Sequence, residues 1–193
     1  MLNNLSQYSI QLASNSPRRR ELLAGLGIQY NVATLPEIDE SYPETLQGSE
    51  IPSYIARQKA PAYSRMMKSD TLLITADTIV WLNGKVYGKP PNEEHAKQML
   101  RELSGQTHTV ITGVAITTCH KQKVFAVESY VTFATLSDEE IDYYVTHYRP
   151  YDKAGAYGIQ EWIGYIGVTE LQGSYFNVMG LPIQRLYNEL KNF

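Results

Sequence analysis

Residues 71–81 constrain the fold of this chain more than any other stretch. They read Thr-Leu-Leu-Ile-Thr-Ala-Asp-Thr-Ile-Val-Trp, an almost continuous apolar run. Such a run is typical of a central β-strand with both faces buried. It contains one carboxylate, Asp77, which is costly to bury unless it is paired, metal-bound or functional. The sequence therefore predicts a sheet with an unusual charge in its central strand.

Turn and cap signals divide the rest of the chain into alternating elements. Asn83-Gly84 is typical of a two-residue hairpin turn, and Ser137 with Glu140 forms a capping box. The other predicted elements are strands at 8–12, 30–34, 85–88, 107–118 and 123–135, and helices at 19–26, 51–67, 93–103, 137–148 and 181–190. We expect Pro61 to kink or interrupt the second helix because proline removes a backbone donor. Since hairpins are interleaved with helices, the fold class expected is α/β, with a mixed twisted sheet flanked by helices.

Size, charge and cysteine content exclude several protein classes. The 193 residues suit one α/β domain, and we expect a single domain over residues 1–193. A net charge of −3 argues against a broad nucleic-acid surface, so no stable nucleic-acid partner is expected. The single cysteine, Cys119, excludes an intramolecular disulfide and is expected to be a packed thiol.

No membrane partner is expected, because no apolar run approaches the length that spans a bilayer. The first nine residues are polar and lack the basic-then-apolar order of a secretory signal. We therefore expect a cytoplasmic protein.

The segment 12–23, Leu-Ala-Ser-Asn-Ser-Pro-Arg-Arg-Arg-Glu-Leu-Leu, opens a helix in an unusual way. Ser16 can cap the helix, and Pro17 suits its first position. The arginines at 18–20 lie in the first turn, where the helix dipole already favours an anion. This arrangement predicts a phosphate site at the helix N-terminus. The alternative is a solvated arginine cluster, partly compensated by Glu21.

Further charged residues occur where a globular fold rarely places them. They are Glu40 in the acidic loop 36–42, Lys59, Asp77, Lys89 and Lys153. Cations around one or two carboxylates fit a triphosphate held with a divalent metal ion. The alternative for each lysine, taken singly, is a solvated surface residue.

The histidines are not expected to bind metal. Those at 95, 120 and 147 resemble surface residues and lack metal-ligand spacing. His108 lies in a segment that could reach a substrate cleft, or else is a strand-end histidine bonded to backbone.

Seven motifs carry these residues in order along the chain. They are Leu12-Ala-Ser-Asn-Ser-Pro-Arg-Arg-Arg-Glu-Leu-Leu, Asp39-Glu40, Ala56-Arg-Gln-Lys-Ala, Ala76-Asp-Thr-Ile-Val, Gly88-Lys-Pro, Leu103-Ser-Gly-Gln-Thr-His-Thr-Val-Ile-Thr-Gly-Val and Asp152-Lys-Ala-Gly-Ala-Tyr-Gly-Ile-Gln. Together they span nearly the whole chain and resemble the Maf family of nucleoside triphosphate pyrophosphatases. The resemblance implies an architecture like that of ITPases, with two lobes and a cleft between them, and a homodimer.

The resemblance also implies an activity and a set of site residues. The activity is hydrolysis of a nucleoside triphosphate between the α and β phosphates, with Mg²⁺ or Mn²⁺. Asp77 would accept a proton from the attacking water, and Glu40 with Asp77 would bind the metal. The residues implied in substrate binding are Ser14, Ser16, Arg18, Arg19, Lys59, Thr78, Lys89, Lys153 and Gln160. Displacement at phosphorus depends chiefly on positioning and charge neutralisation, which such residues supply.

The last motif resembles the branch of the family that acts on dTTP and UTP. In that branch the positions matching Arg18, Thr78 and Gln160 are associated with substrate choice. A glutamine amide offers a donor and an acceptor, which suits the imide edge of thymine or uracil. The family usually has glycine after this glutamine, whereas this chain has Glu161, which puts the shape of the adjoining loop in question.

Two alternatives stand beside dTTP and UTP hydrolysis. One keeps the enzyme class and changes the base, to 7-methyl-GTP or a modified pyrimidine nucleotide. The other is a non-catalytic nucleotide-binding regulator of septum formation, a process with which the family is associated. The presence of Asp77, Glu40 and the lysine set disfavours the second alternative, because a protein that only binds needs no buried base.

Overall fold

The computed structural model describes residues 2–35 and 38–193. Pro36 and Glu37, which belong to the predicted acidic loop, lie outside the described residues. The chain forms two compact units, each assembled from separate pieces of sequence. The first is Met1–Asp77, Thr112–Val127 and Gly180–Phe193, and the second is Thr78–Ile111 and Glu128–Met179. The single domain expected over residues 1–193, and the cleft, stay predictions.

The strands of the described chain form a mixed sheet. They are β1 Ser9–Ala13, β2 Asn31–Val32, β3 Thr71–Leu82, β4 Lys85–Tyr87, β5 Thr107–Thr117, β6 Gln122–Phe133 and β7 Val168–Gln172. Hydrogen-bonded neighbours follow the order β2-β1-β3-β5-β6-β7, and β4 pairs with β3. β1 is parallel to β2 and β3, whereas β4 is antiparallel to β3 and β7 to β6. The predicted mixed sheet is confirmed.

The pairing of β1 with β3 places the predicted phosphate loop beside Asp77. The register runs from Ser9 opposite Thr71 to Ala13 opposite Thr75. Since the two strands are parallel, the loop that follows Ala13 leaves the sheet where β3 reaches Asp77. Side chains on both faces of β3 are buried over nearly its whole length, as the apolar run predicts.

Helices flank this sheet, and several of them begin at polar residues whose side chains cap the helix. The α-helices among the described residues are α1 Pro17–Ala24, α2 Glu50–Ala62, α3 Glu93–Leu103, α4 Asp138–Tyr148, α5 Trp162–Gly167, α6 Tyr175–Val178 and α7 Ile183–Lys191. The Asn92 side chain accepts the His95 N–H at 3.0 Å, and both halves of the Ser137–Glu140 capping box are formed. None of these described helices combines the length and the apolar character that crossing a membrane requires.

Several predicted boundaries are wrong. α1 ends at Ala24, before the predicted end, and the predicted strand at 30–34 is a two-residue bridge, Asn31–Val32. α2 ends at Ala62, directly after Pro61, and a separate 3-10 turn follows at Ser64–Met66, so the expected interruption is confirmed. β7 was not predicted, because it lies at a sheet edge with every side chain exposed or partly exposed, and its sequence contains no apolar run.

Each unit has its own buried apolar cluster. In the first unit, a small cluster contains Ala13, Ala33, Ala60, Tyr63 and Leu73. In the second unit, a larger cluster joins α3 and α4 to the sheet, and its members include Leu100, Leu103, Ile141, Tyr144 and Val145. These apolar clusters hold in place the elements from which the site residues project.

Cys119 corrects one expectation from the sequence. The residue is exposed, and its Sγ lies 3.3 Å from the Lys68 carbonyl oxygen. The predicted packed thiol is wrong because β5 ends at Thr117, so Cys119 falls in the turn and not in the buried strand.

Gly113 in β5 offers a test of how closely α2 packs on the sheet in the first unit. A Cβ added there would lie 2.3 Å from the Pro52 carbonyl carbon and oxygen and 2.5 Å from the Ser53 nitrogen. These are backbone atoms and cannot yield as a flexible side chain can. We therefore expect Gly113→Ala to lower the free energy of unfolding by about 2–4 kcal/mol in urea denaturation.

Gly88→Ala is the matched control, because nothing lies within 4 Å of a Cβ built there. If Gly113→Ala and Gly88→Ala unfolded at the same urea concentration, this account of the packing would be contradicted.

Candidate active site

The loop before α1 is held by its own serines. Ser16 caps the helix, since its Oγ accepts the Arg19 N–H at 3.4 Å, and Pro17 occupies the first helical position. Ser14 is buried, and its Oγ accepts the Ser16 N–H at 3.2 Å. The predicted cap is therefore confirmed, and both serines lie in the predicted phosphate loop. Whether they contact a substrate stays a prediction.

The three arginines of the first turn do different things. Arg20 turns back on its own loop, with Nε and Nη2 each 3.3 Å from the Ser14 carbonyl oxygen. Arg19 reaches away from α1, donating to the Ala76 carbonyl at 2.9 Å and to the Gly180 carbonyl at 2.8 Å. Arg18 is partly exposed. The cluster is therefore not a uniformly solvated group.

Asp77 is paired in the first unit with a lysine that sequence analysis singled out. Lys59 Nζ lies 2.9 Å from Asp77 Oδ1 and 2.8 Å from Glu40 Oε1, and it also donates to the Ala76 carbonyl at 3.3 Å. Lys59 and Asp77 are 7% and 8% exposed, whereas Glu40 is an exposed residue. Three predicted site residues from distant parts of the sequence thus meet at one ammonium group.

Arg19 belongs to the same electrostatic cluster. Burial lowers the pKa of its guanidinium, the nearby Asp77 and Glu40 carboxylates oppose that shift, and Arg18 adds to it. The Ala76 carbonyl accepts from both Arg19 and Lys59, so these cations flank the residue before Asp77. The first unit therefore gathers cationic side chains around a pair of carboxylates, an arrangement that can bind a polyanion.

The chemistry of the donor set bears on whether a metal fits here. The described residues contain no group of three or more His, Cys, Asp or Glu side chains that could hold a metal ion. Asp77 and Glu40 nevertheless both bind one cation, the Lys59 ammonium. Mg²⁺ is usually held by one or two carboxylates together with substrate phosphates, and not by an all-protein cage. Two carboxylates fit that mode.

Lys153 lies between two carboxylates within the second unit. Its Nζ is 2.7 Å from Asp152 Oδ1 and 3.1 Å from Glu161 Oε1, and the residue is 7% exposed. Glu161 also accepts a hydrogen bond from the hydroxyl of buried Tyr144. Burial, followed by this contact with Glu161, raises the pKa of Tyr144 far above its usual value, so the hydroxyl stays a donor.

Gln160 lies in the same loop of the second unit. Its Oε1 is buried and has no hydrogen-bond partner among the described residues. A Cβ added at Gly158 would lie 2.9 Å from Gln160 Nε2, so the amide packs directly against that glycine.

The remaining predicted substrate ligands of the second unit are Thr78 and Lys89. Thr78 is partly buried and follows Asp77 in β3, and Lys89 is exposed just after β4. The Gly88 carbonyl accepts the Gly155 N–H at 3.1 Å, which ties the segment before Lys89 to the loop that carries Lys153.

His108 is a buried core residue of the second unit, neither exposed nor bonded to backbone through its Nε2. That nitrogen lies 2.7 Å from the Tyr157 hydroxyl, and the ring packs edge-on against Phe133. Burial lowers the pKa of His108 to about 4, so the imidazole is neutral at pH 7.

Sequence reasoning missed the roles of Tyr144 and Glu161. The sequence analysis assigned no role to Tyr144, and it noted Glu161 only as a departure from the usual glycine. The available signal was the glutamate at position 161. A carboxylate next to Gln160, the residue predicted to bind the base, needs a cationic partner, and Lys153 is the cation of the same motif.

The geometry can be compared with known proteins. A family model described as Maf-like protein matches residues 9–193. A protein of Phocaeicola vulgatus named dTTP/UTP pyrophosphatase is 66% identical over 191 residues, 99% of each chain. A protein of the same name from Parabacteroides distasonis is 61% identical over 193 residues, which cover all of both chains. Another from Flavobacterium psychrophilum is 49% identical over 183 residues, which cover 95% of this chain and 93% of that one.

Solved structures support the fold. A Ham1 protein of Staphylococcus aureus matches with a TM-score of 0.51 and 19% identity, over 94% of this chain and 99% of that one. A HAM1 protein of Coxiella burnetii matches with a TM-score of 0.53 and 15% identity, over 96% and 100%. The family match over nearly all of the chain, the motifs in order and the full-length relatives agree: this chain belongs to the Maf family.

Proposed function

We propose that this protein hydrolyses dTTP and UTP to the nucleoside monophosphate and pyrophosphate. The observation that carries the proposal is the meeting of Asp77, Glu40 and Lys59 in the first unit, with Arg19 bonded to the carbonyl next to Asp77. The relatives reported above carry the name dTTP/UTP pyrophosphatase at 49–66% identity, which supports the substrate.

The cations of the first unit suit a triphosphate. Arg18, Arg19 and Lys59 would neutralise phosphate oxygens, and the serines of the capped loop would add hydroxyl donors. Phosphoryl transfer needs little covalent chemistry from a protein, because positioning and charge neutralisation supply most of the acceleration. Lys89 is proposed as a further phosphate ligand, from the family resemblance.

Asp77 is proposed to accept the proton of the attacking water. Water adds to phosphorus, the α–β anhydride bond breaks, and pyrophosphate leaves with the bonding electrons. Lys59 holds the Asp77 carboxylate in one orientation, and a general base needs such positioning relative to the proton that it accepts. Such proton transfer contributes roughly 10²–10⁴-fold to a rate.

Glu40 and Asp77 are proposed to hold a divalent metal ion, Mg²⁺ or Mn²⁺, together with the triphosphate. When bound, such an ion neutralises charge on the phosphates and on the leaving pyrophosphate. Glu40 suits this role because it is exposed at the end of an acidic loop and already binds a cation there.

Gln160 is proposed to recognise the base, with Thr78 and Arg18 contributing to substrate choice. The buried Oε1 of Gln160 is an acceptor that the N3–H of uracil or thymine would satisfy. Leaving such an acceptor unpaired costs about 1–3 kcal/mol, a penalty that binding of the correct base would remove.

The expected homodimer and the cytoplasmic location stay predictions. Sedimentation equilibrium of the purified protein tests the first, and fluorescence microscopy of a tagged protein in its own cell tests the second.

A pyrophosphate-release assay tests the activity across dTTP, UTP, CTP, GTP and 7-methyl-GTP, with and without Mg²⁺. We expect pyrophosphate from dTTP and UTP in the presence of the metal. Release of pyrophosphate chiefly from 7-methyl-GTP would assign the protein to the alternative substrate, and nucleotide binding without turnover would make it a regulator.

Asp77→Asn removes the proposed base while keeping the size of the side chain. Because Lys59 keeps its contact with Glu40, we expect the fold to persist and kcat on UTP to fall by about 10³-fold. Circular dichroism and the thermal midpoint report folding. The matched control is Asp70→Asn, at an exposed aspartate of the same unit. Turnover of Asp77→Asn at the rate of the control would remove Asp77 from its role.

Glu40→Gln keeps the shape and removes the charge of the second carboxylate. We expect the Mg²⁺ concentration for half-maximal activity to rise by about tenfold, and Mn²⁺ binding in a calorimetric titration to weaken in parallel. Glu44→Gln, at an exposed glutamate of the same loop region, is the control. Equal Mg²⁺ dependence in the two variants would exclude Glu40 as a ligand.

Gln160→Ala removes the proposed contact with the base. We expect kcat/KM for UTP and dTTP to fall by about tenfold relative to that for GTP, since one hydrogen bond is lost and the phosphates are untouched. Gln172→Ala, at an exposed position of β7, serves as the control. Unchanged relative rates on dTTP, UTP and GTP would show that the base is recognised elsewhere.

A further inference from the structure

Three side chains of the second unit close the loop 152–161 on itself. Glu161 Oε1 lies 3.1 Å from Lys153 Nζ, and Glu161 Oε2 accepts a hydrogen bond from the Tyr144 hydroxyl. The same hydroxyl accepts the Gly158 N–H at 3.0 Å. Lys153, Glu161 and Tyr144 are called the loop clasp below.

The loop clasp is shielded from water. Tyr144 is fully buried, Lys153 is 7% exposed and the Glu161 side chain is 20% exposed. Charge-assisted hydrogen bonds in such surroundings are short and directional, so they fix the atoms that they join. The clasp thus joins the two ends of the loop and anchors its middle to α4 through Gly158.

The residue held inside this loop is Gln160. It precedes Glu161 directly, and a Cβ on Gly158 would lie 2.9 Å from both Gln160 Nε2 and Glu161 Cδ. The amide of Gln160 is therefore packed against the glycine that Tyr144 anchors. Its buried Oε1 is left without a partner among the described residues, which is unusual for a buried acceptor and points to a ligand.

We propose that the loop clasp positions Gln160 for the pyrimidine base, so that Glu161 and Lys153 set base selectivity without touching the substrate. The inference rests on the proposed dTTP and UTP hydrolysis and deepens it. It also changes the role expected for Lys153. Lys153 lies in the loop that carries Gln160 and is bonded to Glu161, the residue after it, so in this proposal it acts as a positioning residue and not as a phosphate ligand.

The two roles considered for Lys153 predict different changes in kcat/KM when the lysine is replaced. A phosphate ligand binds every nucleoside triphosphate alike, so its loss lowers kcat/KM for all of them equally. Loss of a residue that positions Gln160 lowers kcat/KM only for the nucleotides whose base Gln160 contacts. UTP and CTP separate these cases, because they share the sugar and the triphosphate and differ at the imide edge that Gln160 would contact.

The experiment measures kcat/KM for UTP and CTP in the wild-type protein, Glu161→Gln, Lys153→Gln and Lys153→Arg. Glu161→Gln keeps the acceptor for Tyr144 and removes the charge opposite Lys153. We expect the UTP-to-CTP ratio to fall by about tenfold in Glu161→Gln and in Lys153→Gln, the size of one lost hydrogen bond. Lys153→Arg keeps the charge and is expected to restore most of the ratio. Glu139→Gln, at an exposed glutamate of α4, is the matched control and should keep the wild-type ratio.

Circular dichroism and thermal midpoints establish whether each variant is folded. If Glu161→Gln does not fold, the comparison of Lys153→Gln with Lys153→Arg tests the inference instead. An unchanged ratio in the folded clasp variants overturns the inference and leaves the proposed function standing. Equal losses on UTP and CTP in Lys153→Gln also overturn it, because they identify a phosphate ligand. Wild-type protein that releases no pyrophosphate from UTP overturns the proposed function itself, and the inference with it.

Discussion

The contact between Lys59 and Asp77 is the interaction on which the candidate site of the first unit depends. Both side chains are buried, and a charge in that position is tolerated only if an opposite charge and further hydrogen bonds compensate it. Asp77 lies in the central strand, Lys59 comes from α2 and the Ala76 carbonyl joins Arg19 of α1 to the same place. The ion pair joins α2 to β3, and the Arg19 hydrogen bond to the Ala76 carbonyl joins α1 to the same strand. The same groups are those that a phosphate chemistry would use.

In the second unit, the ion pair of Lys153 and Glu161 lies within one loop and does not join separate helices and strands. Lys153 and Glu161 pair inside a single loop and hold a neighbouring amide, Gln160. The family resemblance led us to expect glycine after this glutamine, whereas this chain has the carboxylate of Glu161, which is bonded to Lys153 and Tyr144. The Glu161 carboxylate is thus accommodated by partners from the same motif and from α4.

The sequence predicted the elements with strong local signals. The apolar run of β3, the Asn83-Gly84 turn and the caps at Ser16 and Ser137 were all confirmed, because each depends on a short stretch of chain. β7 and the exposed position of Cys119 were missed, since an edge strand and a turn boundary depend on pairing with distant residues. In the candidate site, the residue types followed from the motifs. The sharing of Lys59 by Asp77 and Glu40, and of Glu161 by Lys153 and Tyr144, was not predicted, because side-chain contacts depend on how the helices, strands and loops pack together.

The division of the chain has a consequence for its synthesis. The first unit includes Gly180–Phe193, and the Gly180 carbonyl is a partner of the Arg19 guanidinium. On the ribosome, α1 and β1 emerge long before that partner exists, and the whole second unit is translated in between. The Arg19 guanidinium therefore gains its bond to the Gly180 carbonyl only after the second unit has been translated, whereas Asp77, Glu40 and Lys59 all belong to the first 77 residues.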